Sequence, residues 1–222
     1  MYAKVQPHAL ACTMLTLAVF GATGRTGWRV CEHARTAGYT LRILARNPAR
    51  LGVAHVGAHV TTGDVLDAEV VSAVVHGADA IISTLGADDF RSPGDVLSRG
   101  MDHIVAAAKR HGVSRILAVA GGGVLDAAGG GLRSERPGFP AAFATVTLQH
   151  QGTWRALRES GLAWTLACTP DLTEDVRTGI FRELANEMPE NGRRIARDEL
   201  AHWLVTQIDR TTFVNTRVGL AT

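Results

Sequence analysis

Lysine is almost missing from this chain: Lys4 and Lys109 are the only two, and arginine supplies the other 21 of its 23 basic residues. Acidic residues number 21, so the formal net charge is only +2. That balance excludes a surface built to hold nucleic acid or an anionic membrane by charge. Cysteine is scarce too. Cys12, Cys31 and Cys168 are odd in number, far apart and without a C-x-x-C pair, which excludes a disulfide framework and a zinc site and suits a reducing, cytoplasmic compartment. No run of about 20 apolar residues exists to span a bilayer. The stretch Ala9–Phe20 after Lys4 imitates a signal peptide, but Thr13 and Thr16 interrupt it and it runs straight into glycines, as a strand does. Residues 1–13 read as a poorly ordered leader, with Met14 an alternative start, and 14–222 as one domain.

What the chain does have is alternation. With 46% hydrophobic residues in 222, it can bury a full α/β core. MLTLAVFG reads as a buried strand, and YTLRILAR, AHVTTGD, DAIISTLG, SRILAVAG and LAWTLACTP as five more strands. Helical patterns separate most of them: TGWRVCEHARTAG, DAEVVSAVVHG with Asp67 as N-cap, GDVLSRGMDHIVAAAKRHG and VTLQHQGTWRALRESG. RDELAHWLVTQID follows as a helix and TTFVNTRV as a last strand. Strands joined by crossover helices predict a Rossmann-type, doubly wound, mainly parallel sheet. Ligands of such sheets sit beyond the carboxyl ends of the strands. The irregular stretches 87–94, 121–144 and 171–194 therefore border the expected site, the last as a small substrate-side region.

The sharpest motif is Gly21-Ala22-Thr23-Gly24-Arg25-Thr26-Gly27, between a strand and a helix. Gly21 permits a tight exit, Gly24 a close approach to a pyrophosphate, and Gly27 close packing of the helix. Backbone N–H groups of Thr23 to Thr26 and the positive helix end suit phosphates. An NAD site usually ends its second strand on an acid that bonds the ribose. Here that place holds Arg46, with Arg50 one turn on, and guanidinium groups suit a 2′-phosphate. The expected cofactor is NADP(H), with Arg25 assisting. Asp64 and Val65 would flank the adenine; Thr84, Leu85 and Gly86 would pass under the ribose and pyrophosphate. Ala120, Gly121, Thr169 and Pro170 end the fifth and sixth strands, beside the nicotinamide.

VFGATGRTG, the Arg46/Arg50 pair, GDVLDAEVV, DAIISTLG, IVAAAKRHGVSRILAV, LRESGL and TPDLTEDVRTG together resemble the atypical short-chain dehydrogenase/reductases. The likeness is greatest to the biliverdin reductase B or NADPH flavin reductase group, with NmrA-like proteins around it. The resemblance implies a Rossmann domain with a small C-terminal substrate region. It also implies NADPH, and hydride transfer to a flat conjugated acceptor such as a flavin, quinone or tetrapyrrole. Departures are visible. No Tyr-x-x-x-Lys pair exists, since Tyr2 and Tyr39 both lack a lysine four residues on. The group's serine near the nicotinamide falls at Gly121, and Asp171 stands where the flavin reductase has histidine.

Hydride transfer needs little beyond positioning. Asp171 and His150 are the candidates for proton handling. Asp171 reads equally as a turn residue after Pro170, and His150 as a surface histidine. Trp154 suits a pocket wall or a helix face; Trp28, Trp164 and Trp203 read as core. The glycine triplets 121–123 and 129–131 read as a flexible loop, or as room for a bulky substrate. Asp88-Asp89 has no nearby His or Cys to suggest a metal. The expected partner is a small aromatic or conjugated molecule, the expected assembly a monomer or homodimer. Three functions stay open: an NADPH-dependent reductase, a non-catalytic NADP(H) sensor, and an NADP-using isomerase or cyclisation enzyme.

Overall fold

The computed structural model describes residues 14–87, 89 and 91–222. The leader expected at 1–13, and Asp88 of the acidic pair, lie outside the described residues. The chain runs β1 (Thr16–Phe20), α1 (Gly27–Thr36), β2 (Thr40–Ala45), β3 (His59–Thr62), α2 (Ala68–Val75) and β4 (Ala80–Ser83). It continues α3 (Val96–His111), β5 (Arg115–Gly121), α4 (Ala144–Arg158), β6 (Ala163–Thr169) and β7 (Asp171–Thr173), and closes with β8 (Arg182–Ala185), β9 (Arg194–Ala196), α5 (Arg197–Thr206) and β10 (Thr216–Ala221). Eight strands form one sheet in the order β3-β2-β1-β4-β5-β6-β10-β8, parallel except for β8, which runs antiparallel to β10. β7 and β9 form a separate parallel pair. The stretch 171–194 thus divides: β7 lies in that pair, while β8 extends the edge of the main sheet.

Local signals set the element ends. Asp67 caps α2 by accepting from the N–H groups of Glu69 and Val70 at 3.0 and 3.2 Å. Gly112 ends α3 in the left-handed region at φ 72°. Each face of the sheet is covered by helices, giving two cores. One gathers Val30, Cys31 and Ala34 of α1 with Leu200, Leu204 and Trp203 of α5. The other gathers Val71 and Val74 of α2, Met101 and Ile104 of α3, and Leu157 of α4.

Two expectations are corrected. The last strand does not begin at Thr211. Asn215 takes a left-handed φ of 57° and exchanges hydrogen bonds with the Trp164 backbone, so 211–215 turn and β10 starts at Thr216. Trp164 and Trp203 are buried, but Trp28 is not core: its ring stays exposed, with the Arg29 guanidinium stacked 4.3 Å from its centroid.

The order of strands creates the site. The chain leaves β1 for β2 and β3 on one side, then returns to place β4 on the other. The crevice beyond β1 and β4 is the topological switch point, where an open α/β sheet takes a ligand.

Candidate cofactor and substrate site

A cavity of about 770 Å³ opens along the carboxyl ends of the strands. The glycine loop forms one wall. Gly21 turns out of β1 at φ 82°, and a Cβ there would stand 2.5 Å from the Thr84 carbonyl oxygen. Thr84 donates its hydroxyl hydrogen to the carbonyls of Phe20 and Gly21, at 3.2 and 3.3 Å, and joins the ends of β1 and β4. A Cβ on Gly27 would fall on the Gly21 carbonyl oxygen, so α1 can pack here only with glycine at its start. Gly27 is therefore buried behind the loop and lines no part of the cavity.

Gly21, Thr23, Gly24, Arg25 and Thr26 do line it. Among the described residues, the N–H groups of Thr23, Arg25, Thr26 and Gly27 donate to no protein acceptor. The first three belong to residues that line the cavity, and unpaired donors at a helix N-terminus fit a diphosphate. Arg46 and Arg50 reach the same cavity from beyond β2, both exposed. Asp64 and Val65 follow β3; the Asp64 carboxylate accepts from Leu66 N–H at 2.9 Å, which fixes the turn. Leu85 and Gly86 follow β4, Ala120 and Gly121 end β5, and Thr169 and Pro170 end β6; all line the cavity. The two proton-handling candidates also line it.

Those two differ sharply. Asp171 begins β7, its backbone N–H on the Arg193 carbonyl at 3.2 Å and its side chain exposed. His150, on α4, accepts the Gly121 N–H on Nδ1 at 3.1 Å. Burial pushes its pKa down to about 4. The ring is neutral at pH 7, and with Nδ1 accepting, its proton sits on Nε2. His150 is thus a hydrogen-bond donor to the cavity.

The glycine triplet 121–123 is not slack. A Cβ at Gly121 would meet His150 Nδ1 at 3.2 Å, one at Gly122 the Met188 Cε at 2.6 Å, and one at Gly123 the Phe139 Cζ at 2.9 Å. Three side chains lie directly over this backbone. The second triplet turns tightly, with φ of 81°, 90° and 69° at Gly129, Gly130 and Gly131. Arg136 holds it by donating to the carbonyls of Ala128 and Gly130. Trp154 lies away from the main cavity, with the guanidinium of Arg217 stacked 4.0 Å from its ring centroid.

Sequence reasoning missed a cluster of charge beside the glycine loop. Arg197, 9% exposed, lines the cavity and pairs with Glu174 at 3.0 Å. Arg29 and Arg25 reach the same carboxylate at 2.9 and 3.5 Å. Burial, and then Arg25, lower the Arg197 pKa. The available signal was an arginine opening α5, where the helix dipole disfavours a cation. Arg133, Phe139 and Met188, from irregular segments, were missed as well. Among the described residues, no cluster of three His, Cys, Asp or Glu side chains is placed to hold a metal. No helix among them is long and apolar enough to cross a membrane.

A family model described as NAD(P)H-binding matches residues 21–211. A Streptomyces griseus (4-alkanoyl-5-oxo-2,5-dihydrofuran-3-yl)methyl phosphate reductase is 30% identical over 147 residues. That match takes 66% of this chain and only 44% of the relative's length. A structure from Burkholderia pseudomallei, of a protein described as exported, is 28% identical with a TM-score of 0.80, over 94% of this chain and all of the other. A Streptococcus pneumoniae protein provisionally described as an NADH-flavin reductase shares the fold, with a TM-score of 0.81, 21% identity, and 93% and 99% coverage.

Proposed function

The chain belongs to the NAD(P)H-binding family, and from that premise we propose that it is an NADPH-dependent reductase of a planar conjugated acceptor. The observation that carries this reading is the continuity of one cavity. It joins an anion-binding glycine loop to a pocket walled by Phe139, Pro140, Phe143, Val146 and Met188. Such a wall suits a flat apolar ring. The named chemistry of the Streptomyces relative and of the Streptococcus neighbour, reduction of a furanone and of a flavin, points the same way. So does the resemblance to the biliverdin reductase B and NmrA-like group.

Bound NADPH supplies the hydride. The chain's own residues do the rest. The N–H groups of Thr23, Arg25 and Thr26 would hold the diphosphate, and Arg46 and Arg50 the 2′-phosphate. The Streptococcus neighbour is named for NADH; the two arginines, in place of an acid, are what favour NADPH here. His150 donates from Nε2 to an oxygen or nitrogen of the acceptor as that atom gains charge, and the Gly121 N–H keeps the ring oriented. Its low pKa suits a donor that stays neutral, and unsuits it as the proton source at pH 7. The proton comes from water at the open rim, beside the exposed Asp171. We assign the protein to the cytosol on its two buried free thiols, Cys31 and Cys168.

The test is NADPH oxidation with FMN, riboflavin and a quinone panel. Turnover with at least one acceptor, slower with NADH, is the expected result. Tight NADPH binding with no acceptor turned over would replace this reading with the sensor.

A further inference from the structure

We infer that the acceptor carries an acidic group, a carboxylate or a phosphate, and that Arg133 is the residue that binds it. The inference deepens the reductase reading and rests on it for the acceptor's ring. Arg133 opens a short 3-10 turn, Arg133–Glu135, between the two glycine-rich stretches and α4. It is the only cationic side chain that residues 121–150 place on the cavity, and it shares that wall with Phe139, Phe143 and Val146.

Its side chain is exposed at the cavity rim, and two features mark its place. First, its backbone is fixed. The Arg133 N–H donates to the Leu125 carbonyl at 2.8 Å. Asp126, next in the chain, pairs with Arg217 at 2.7 Å, and Gln151 of α4 donates to the Ser134 hydroxyl at 3.3 Å. Second, its guanidinium has no protein acceptor among the described residues. The nearest acid in sequence, Glu135, is committed elsewhere: its Oε2 accepts the Leu132 N–H at 2.8 Å. The cations on the opposite side are differently placed. Arg46 and Arg50 follow β2, and Arg25 and Arg197 share Glu174 beside the glycine loop. Arg193, whose guanidinium also has no protein acceptor among the described residues, precedes β9 with its carbonyl on the Asp171 N–H, away from the Phe139 wall. Arg133 is thus an unmatched charge on a pinned turn at the rim of an aromatic wall. A ligand that fills both features has a flat apolar body and an anionic appendage. Guanidinium takes carboxylate and phosphate alike through paired donors.

Acceptor pairs that differ only in the acid provide the test. FMN against riboflavin probes phosphate, and 1,4-naphthoquinone-2-carboxylate against 1,4-naphthoquinone probes carboxylate. The measured quantity is the ratio of kcat/KM within each pair, for the native protein, Arg133→Gln and Arg133→Lys. NADPH affinity checks that each variant is folded. The native protein should favour the acid by roughly tenfold or more in at least one pair, the range of a charge-assisted hydrogen bond. Arg133→Gln should bring that ratio close to one through KM, and Arg133→Lys should restore part of it. Which pair responds identifies phosphate or carboxylate. Turnover without an acid preference, or a preference that Arg133→Gln leaves intact, overturns the subsite and keeps the reductase. If nothing turns over, the same pairs are titrated against NADP⁺-loaded protein by fluorescence. An Arg133-dependent preference there supports the subsite while the reductase reading falls; no binding of any acceptor overturns both.

Discussion

Replacing His150 with asparagine separates two roles that the imidazole combines. The asparagine Oδ1 can stand near Nδ1 and still accept the Gly121 N–H, but it offers no donor where Nε2 was and it does not titrate. The native ring resists protonation, with a pKa near 4 against an ordinary 6.5. Its effect on stability has a definite sign. Above pH 6.5 both states hold a neutral ring and the group contributes no pH dependence. Between 6.5 and about 4 the unfolded chain takes up a proton that the native ring refuses, so stability falls; below about 4 the loss levels off. At 1.36 kcal/mol per pKa unit, the loss from pH 7.5 to pH 4.5 is about 2.5 kcal/mol. The measurement is urea unfolding of cofactor-free protein at both pH values. The native protein should lose about 2.5 kcal/mol more than His150→Asn over that interval, since the other histidines titrate in both. Equal losses would mean that the ring is not held neutral by burial, and its assignment as an Nε2 donor would fall. In reductase assays the same variant should lower kcat/KM by roughly 10- to 100-fold, as removal of one positioned donor does. The kcat/KM profile should show no histidine step between pH 5.5 and 8.

Arg46→Asp should weaken NADPH by roughly 10- to 100-fold and NADH by less than about threefold, read by fluorescence titration; equal losses would remove Arg46 from the 2′-phosphate. Gly27→Ala and Gly122→Ala make a contrasting pair. The first drives a Cβ onto the Gly21 carbonyl and should cost at least about 3 kcal/mol together with cofactor binding. The second has one close contact, with the Cε at the end of the flexible Met188 side chain, and should cost under about 1 kcal/mol, both read by thermal melts with and without NADPH. Glu174→Ala releases Arg25, Arg29 and Arg197 from their shared carboxylate and should tighten NADPH a few-fold at low salt, an effect that fades by about 0.5 M NaCl.

The Rossmann architecture was legible because its evidence is local. Most of the parallel strands are short apolar runs, and two helix ends have a plain backbone reason, Asp67 at the start of α2 and Gly112 at the end of α3. The last strand was misplaced because its start depends on one asparagine in a left-handed turn, bonded to Trp164 across 51 residues. Trp28 was misread because its place at the start of α1 does not tell which face it takes; the Arg29 guanidinium stacks on its ring, which otherwise stays exposed. Glycine spacing and Arg46 lie within the first two βα units, so the residues that line that end of the cavity could be named in order. Arg133, Phe139, Met188 and Arg197 come from segments with no period, and only the folded chain places them on one cavity.

The triplet at 121–123 marks the limit of composition as evidence. Three glycines in a row read as slack because glycine has the most backbone freedom to lose. None of the three takes a positive φ, so freedom is not what this backbone uses. It uses the missing Cβ atoms: His150, Met188 and Phe139 close on the space that side chains there would fill. A serine hydroxyl at position 121 would compete for the contact that His150 Nδ1 makes with the Gly121 N–H, since a Cβ there already stands 3.2 Å from that nitrogen. The glycine at 121 and the histidine at 150 are therefore one arrangement. The imidazole of a neighbouring helix stands against the backbone position where the resemblance implies a serine on the strand. Gly121→Ser should then disturb His150 before it supplies any chemistry of its own. It should lower kcat/KM in the native background and change it far less in His150→Asn, a non-additivity that a double-mutant cycle reads directly. Independent, additive losses would show that the two positions do not share the site.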